Sequence, residues 1–125
     1  MKNSYALVTG ATSGIGLEIS KDLALRGFNL ILVARTLEKL VQTSNDLTHE
    51  FNIKCDYFSS DLTLIDSPDR IYQFTSQKKY RVEILVNNAG YALPKAFHEN
   101  TMEDEEKCLR VLGTSVIALL SLIHI

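Results

Sequence analysis

"TGATSGIG", residues 9 to 16, decides how the chain reads. It follows a short apolar run, "SYALVT" (4–9), and opens a segment in which Ile15, Ile19 and Leu23 recur at helical spacing. A glycine-rich turn between a strand and a helix has a specific use. Gly10 permits the sharp turn, while Gly14 and Gly16 leave room for close approach of a ligand and of the strand. Helix N-terminal N–H groups then face outward, where they can hold a pyrophosphate. Three glycines alone would also suit an ordinary tight turn; the strand before and the helix after make this a candidate dinucleotide site.

Beyond the loop the pattern alternates. The first helix is predicted over 14–26, with Gly27 as its stop. "NLILVA" (29–34) is apolar enough for a strand covered on both faces. Leu37, Leu40, Val41 and Leu47 mark a helix over 36–50, and "IKCDYFSS" (53–60) a third strand. Ser67 followed by Pro68 predicts an N-cap with proline at the first helical position, opening a helix to about Gln77. "VEILVN" (82–87) is a fourth strand. Asn100 or Thr101 should cap one last helix, its acids in the first turn and its stripe formed by Leu109, Leu112, Val116, Leu119, Leu120 and Ile123. Strands alternating with helices imply an α/β fold: one doubly wound, Rossmann-type parallel sheet in a single domain spanning 1–125.

Composition sets the remaining bounds. Hydrophobic residues make up 46% of 125, which fits a globular domain with a real core. A net charge of −2 with no basic stretch argues against nucleic acid as a partner. The apolar run "VIALLSLIHI" (116–125) is half of the ~20 residues a membrane span needs. No signal-like segment precedes the first strand, and Cys55 and Cys108 form no spaced framework, so a reducing, cytoplasmic setting is expected. His49 and His98 lack metal-ligand companions, and Ser121 and His124 have neither a nucleophile elbow nor a placed acid.

The spacing Gly-x-x-x-Gly-x-Gly, taken with "NNAG" (87–90) after the fourth strand, resembles the short-chain dehydrogenase/reductase family, and within it the broad-specificity branch. The resemblance runs from about Tyr5 to the C-terminus and implies a sheet order of 3-2-1-4, with further strands beyond. It also implies roles. Gly10, Thr12, Ser13, Gly14, Ile15 and Gly16 would form the cofactor loop. Asp61 would hold the adenine amino group, with the Leu62 backbone beside it. Asn87 and Asn88 would tie neighbouring strands, and Asn88, Ala89 and Gly90 would pass near the cofactor ribose. The alternative for Asp61 is a helix or turn cap before Thr63, and the adenine role is preferred given the other motifs.

An NAD-preferring site places a carboxylate at the end of the second strand. That position is Ala34, followed by Arg35, so nothing repels a 2′-phosphate and a guanidinium stands ready to bind one. The expected cofactor is therefore NADP(H) rather than NAD(H). Glu38, one turn on, could pair with Arg35 in the free protein.

Family chemistry uses a Tyr-x-x-x-Lys pair, the lysine lowering the tyrosine pKa from one helical turn away. "YALPK" (91–95) has the spacing, but Pro94 disfavours a helix there and the segment leaves a strand end, so Tyr91 is expected to line the substrate side of the cleft instead. The residues four after Tyr5, Tyr57, Tyr72 and Tyr80 are Thr9, Asp61, Ser76 and Ile84. The chain is thus expected to hold no catalytic residue and to represent the cofactor-binding half of an enzyme acting on an alcohol or carbonyl. A short NADP(H)-binding module, or a truncation product without catalysis, is the alternative. Where the resemblance implies Asn in "N-x-x-G", the chain reads "RVLG", with Arg110. A fourth strand without its next neighbour predicts self-association.

Overall fold

The computed structural model describes residues 3–91, 93 and 96–123. Its elements run β1 (Ser4–Thr9), α1 (Gly14–Leu25), β2 (Asn29–Ala34), α2 (Leu37–Phe51), β3 (Cys55–Ser59), α3 (Ser67–Gln77) and β4 (Arg81–Val86). A 3₁₀ turn (Phe97–Glu99), α4 (Met102–Leu109), a π-helical turn (Arg110–Thr114) and α5 (Ser115–Leu122) follow. The four strands form one parallel sheet in the order β3-β2-β1-β4.

Side-chain alternation sends β1 and β2 into two cores. Tyr5, Leu7, Ile31 and Val33 face Ile71 of α3 and Val111, Leu119 and Ile123 of the C-terminal helical segment. Ala6, Val8, Leu30 and Leu32 face Leu23 and Ala24 of α1 and Leu40 and Leu47 of α2. Helices on both faces are what the near-continuous apolar strands require. The end of α1 shows why Gly27 stops it. With φ at +91°, its N–H reaches Ala24 O at 3.0 Å and the Phe28 N–H reaches Leu23 O at 3.1 Å. That is the paired bonding of a Schellman end, which needs a left-handed residue.

Two expectations are corrected. Ser67 is not the cap of α3: Asp66 occupies that position, Ser67 is already helical and Pro68 follows it in the first turn. The Ser67 hydroxyl is buried and pairs with the Ser60 hydroxyl at the end of β3, so the side chain serves the strand–helix junction rather than the helix N-terminus. The last helix is also not one stripe. Thr101 caps α4 in a full capping box with Asp104. The π turn then inserts one residue, which rotates everything after it by roughly 100° relative to a straight α-helix. The buried positions are Val111, Ser115, Leu119 and Ile123, whereas Leu109, Leu112 and Leu120 are more than half exposed.

Candidate functional site

The C-terminal ends of β1, β2 and β4 converge on a cleft of about 290 Å³, near the lower end of ligand pockets. It is lined by Gly10, Thr12 and Ser13 from the glycine loop, Val33 to Thr36 and Lys39 from β2 and α2, Ser60 to Thr63, Asn88 to Tyr91, and Val111. Nine of the twelve predicted residues therefore line one cleft: Gly10, Thr12, Ser13, Arg35, Asp61, Leu62, Asn88, Ala89 and Gly90. Gly14, Ile15 and Gly16 stand outside the lining, and the Ile15 side chain is 72% exposed.

The three loop glycines are needed for different reasons. Gly10 and Gly14 have φ of +63° and +55°, where an L side chain is strained. Gly16 has ordinary φ but no space: a Cβ would sit 2.1 Å from Gly10 O and 2.4 Å from Asn88 Nδ2. Above Gly14 there is nothing within 4 Å, so the loop is open on the side away from the strand. Ser13 caps α1 only by its backbone conformation, without a side-chain bond, and the first turn carries no acid. The first N–H groups of α1 thus lack a side-chain acceptor, which suits an anionic ligand such as a phosphate.

The loop is pinned by a residue that pattern reading missed. The hydroxyl of Thr9, 1% exposed, accepts the N–H groups of Asn88 and Ala89 at 3.0 Å each and donates to Val86 O at 3.4 Å. Asn88 Nδ2 donates to Gly10 O at 3.2 Å. The expected tie between β1 and β4 is therefore made by Asn88, with Thr9 at its centre; among the described residues the Asn87 side chain makes no such bond. The signal was a hydroxyl closing an otherwise apolar strand immediately before Gly10.

On the opposite wall, Asp61 Oδ1 accepts the Thr63 N–H at 2.9 Å and the Thr63 hydroxyl at 2.7 Å. The turn-capping role is thus real, and it uses one carboxylate oxygen. Among the described residues Oδ2 accepts no hydrogen bond and remains available to a ligand. Burial alone would raise the Asp61 pKa. The two bonds from Thr63, with the charges of Arg35 and Lys107, more than reverse this and hold the carboxyl below its usual range. Arg35 is exposed and enters no ion pair among the described residues, so the expected contact with Glu38 is not made. Lys39, one turn along α2, lines the same cleft, a second cation the sequence offered at i+4 from Arg35. Arg110 Nη1 donates to Thr63 O at 2.6 Å.

Tyr91 lines the cleft and lies in no helix. Lys95 and Pro94, like His124, fall outside the described residues. Cys55 is partly buried, and that burial pushes its thiol up to about 11, the mark of an inert packing residue. Among the described residues no group of His, Cys, Asp and Glu could hold a metal, and no helix is long and apolar enough to cross a membrane.

A strand–glycine loop–helix with its anion-ready N-terminus, a cation just after the second strand and an Asn-Ala-Gly return mark a Rossmann-type α/β class with a candidate dinucleotide cleft. Within that class the chain belongs to the short-chain dehydrogenase family, whose model, described as short chain dehydrogenase, matches residues 4–124. It is 36% identical over 124 residues to a very-long-chain 3-oxoacyl-CoA reductase of Candida glabrata, covering 95% of this chain and 34% of that protein. Among solved structures it resembles a short-chain dehydrogenase from Sphingobium yanoikuyae in complex with NADPH (TM-score 0.88, 30% identity, 96% of this chain and 46% of that one). It also resembles the bulky-bulky ketone specific alcohol dehydrogenase from Comamonas testosteroni (TM-score 0.89, 27% identity, 98% of this chain and 49% of that one). The chain spans about a third of the length of the curated relatives it matches.

Proposed function

We propose that these residues form the NADP(H)-binding domain of a short-chain dehydrogenase/reductase acting on an alcohol or carbonyl. The observation that carries the NADP(H) assignment is the pair Arg35 and Lys39 at the cleft, beside Ala34, where an NAD-preferring site would carry a carboxylate. The amides of Thr12, Ser13, Gly14, Ile15 and Gly16 would receive the pyrophosphate, Asp61 Oδ2 and the Leu62 backbone the adenine, and Asn88, Ala89 and Gly90 the nicotinamide ribose. Bound there, the cofactor supplies a hydride; the chain's own part is to orient it, with Tyr91 on the substrate side. The only tyrosine with a lysine four residues later is Tyr91, which is not helical, so the 125-residue chain is assigned binding without turnover. Self-association through the outer edge of β4 and the exposed leucines of α4 and α5 completes the reading.

The test is titration calorimetry. A charge-assisted bond is worth ~1.5–3 kcal/mol, so NADPH should bind about tenfold or more tighter than NADH. Ala34→Asp combined with Arg35→Ala should reverse the order, and no NADPH oxidation should occur with aldehydes, ketones or quinones. Equal affinities for the two cofactors in the unaltered chain would sink the assignment. Turnover abolished by Tyr91→Phe would show that "YALPK" is catalytic after all.

A further inference from the structure

Asp61 does not orient itself. Its Oδ1 is held by the Thr63 N–H and hydroxyl. The third polar group of Thr63, its carbonyl, is taken by Arg110 Nη1 at 2.6 Å, across 47 positions of sequence. Every hydrogen-bonding group of Thr63 is thus committed, two to the carboxylate and one to the guanidinium. The turn is closed to solvent: Leu62 and Thr63 are 7% and 8% exposed. Leu62 shares a core cluster with Val111, the residue next to Arg110. The C-terminal helical segment therefore grips the 61–63 turn at adjacent positions, one apolar and one polar. Both gripping residues lie in the π turn, an irregularity that recurs at functional sites. Among the described residues no carboxylate pairs with Arg110, so its charge is spent on this carbonyl. A guanidinium–carbonyl bond is charge-assisted and directional. It holds the Thr63–Leu64 peptide, whose N–H donates to Asp61 O at 3.0 Å, so the grip reaches Asp61 through the backbone of the turn.

We propose that Arg110 is a positioning residue for purine recognition: through Thr63 it aims the free oxygen of Asp61 into the cleft, so that the C-terminal helical segment sets how strictly an amino-purine is preferred. This rests on reading the cleft as an NADP(H) site. It assigns Arg110 no contact with the cofactor.

The experiment compares NADPH with its hypoxanthine counterpart, in which a carbonyl oxygen replaces the amino group Asp61 would accept from. The readout is the ratio of the two dissociation constants for the folded 125-residue chain, a quantity that general loosening of the fold does not move in one direction. Losing one hydrogen bond to a charged group should give the unaltered chain an amino-purine preference of about tenfold or more. Arg110→Met should collapse that ratio to within about threefold while the affinity for reduced nicotinamide mononucleotide, which has no purine, is unchanged. Arg110→Lys, whose ammonium can still donate to a carbonyl, should restore part of it. If Arg110→Met does not fold, Arg110→Gln, with its shorter reach, carries the same expectation. Asp61→Asn separates the two layers. If it abolishes the ratio while the Arg110 variants keep it, the inference falls and the site reading stands. If Asp61→Asn leaves the ratio intact, or the unaltered chain binds neither cofactor, the site reading falls and the inference with it.

Discussion

β1 and β4 are neighbours of equal length and similar apolar content, yet they live in different environments. All six residues of β1 are buried, its backbone is paired on both sides, and its C-terminal Thr9 organises the cleft. β4 is paired only with β1; one of its six side chains is buried and Arg81 is exposed. The pairing itself slips between Tyr5 and Ala6, where the register moves from Val82 to Ile84. The C-terminal helical segment also leaves apolar side chains open, with Leu109, Ile117 and Leu120 at 66%, 67% and 59% exposure. The interior half of the site is built from close backbone approach, the outer half from side chains that have room. The two halves should answer perturbation differently.

The largest difference is expected at the glycines. Gly16→Ala drives a methyl to within 2.1 Å of Gly10 O, a backbone atom that cannot swing away without breaking the turn. Overpacking of this kind costs typically 1–3 kcal/mol when side chains can yield, and here the opposing atoms include backbone. The expected loss is about 3 kcal/mol or more by denaturant unfolding, with cofactor binding lost as well. A change under 1 kcal/mol would mean that the loop is not packed against β4 as described, and the interior–rim contrast would fail at its strongest point.

The same contrast explains what could be read in advance. The strands and Gly27 were legible from local chemistry, apolar runs and a glycine able to turn left-handed after a helix, whereas the sheet order was legible only through the resemblance carried by the glycine spacing and "NNAG". The glycine loop and Arg35 were legible from local chemistry, while Asp61, Leu62, Asn88, Ala89 and Gly90 were legible only through that resemblance. Thr9 was not, because its role comes from Asn88 and Ala89, about 80 positions away. Ser67 looked like a cap because serine before proline satisfies the local rule; its partner, Ser60, belongs to another element. The apolar stripe drawn through 109–123 held at Leu119 and Ile123 but not at Leu109, Leu112 and Leu120, as periodicity assumes an unbroken α-helix and the π turn shifts its phase. Lys39 and Lys107 were passed over because their importance lies in where the fold brings them, and Arg110, noticed only as a departure from "N-x-x-G", meets Thr63 for the same reason.

A second way to probe the comparison is amide exchange. β1 should open only with the whole domain, while β4 has one unpaired edge and partial cover. Slowest amides of β1 should exceed those of β4 in protection by at least about tenfold, roughly 1.4 kcal/mol. At micromolar concentration light scattering should detect association, and raising the concentration should slow exchange in β4 while leaving β1 unchanged, since an open apolar edge invites pairing with another copy. Equal protection in a monomer would show that the edge is already covered.

The smallest effect should be of opposite sign. Gly113 lies in the π turn on the outer half, with no atom within 4 Å of where a Cβ would be and no left-handed φ. Glycine inside a helix costs up to about 1 kcal/mol relative to alanine through the freedom it keeps in the unfolded chain. Gly113→Ala should therefore stabilise the chain by about 0.5–1 kcal/mol, where Gly16→Ala is ruinous. Unfolding should be measured both dilute and concentrated. The gain should be present when dilute, where the rim is bare. If it turns into a loss only at high concentration, a second copy occupies the space beside Gly113 and the rim is the interface. A loss at every concentration would mean that the π turn itself requires glycine, and the rim would then be as tightly specified as the interior.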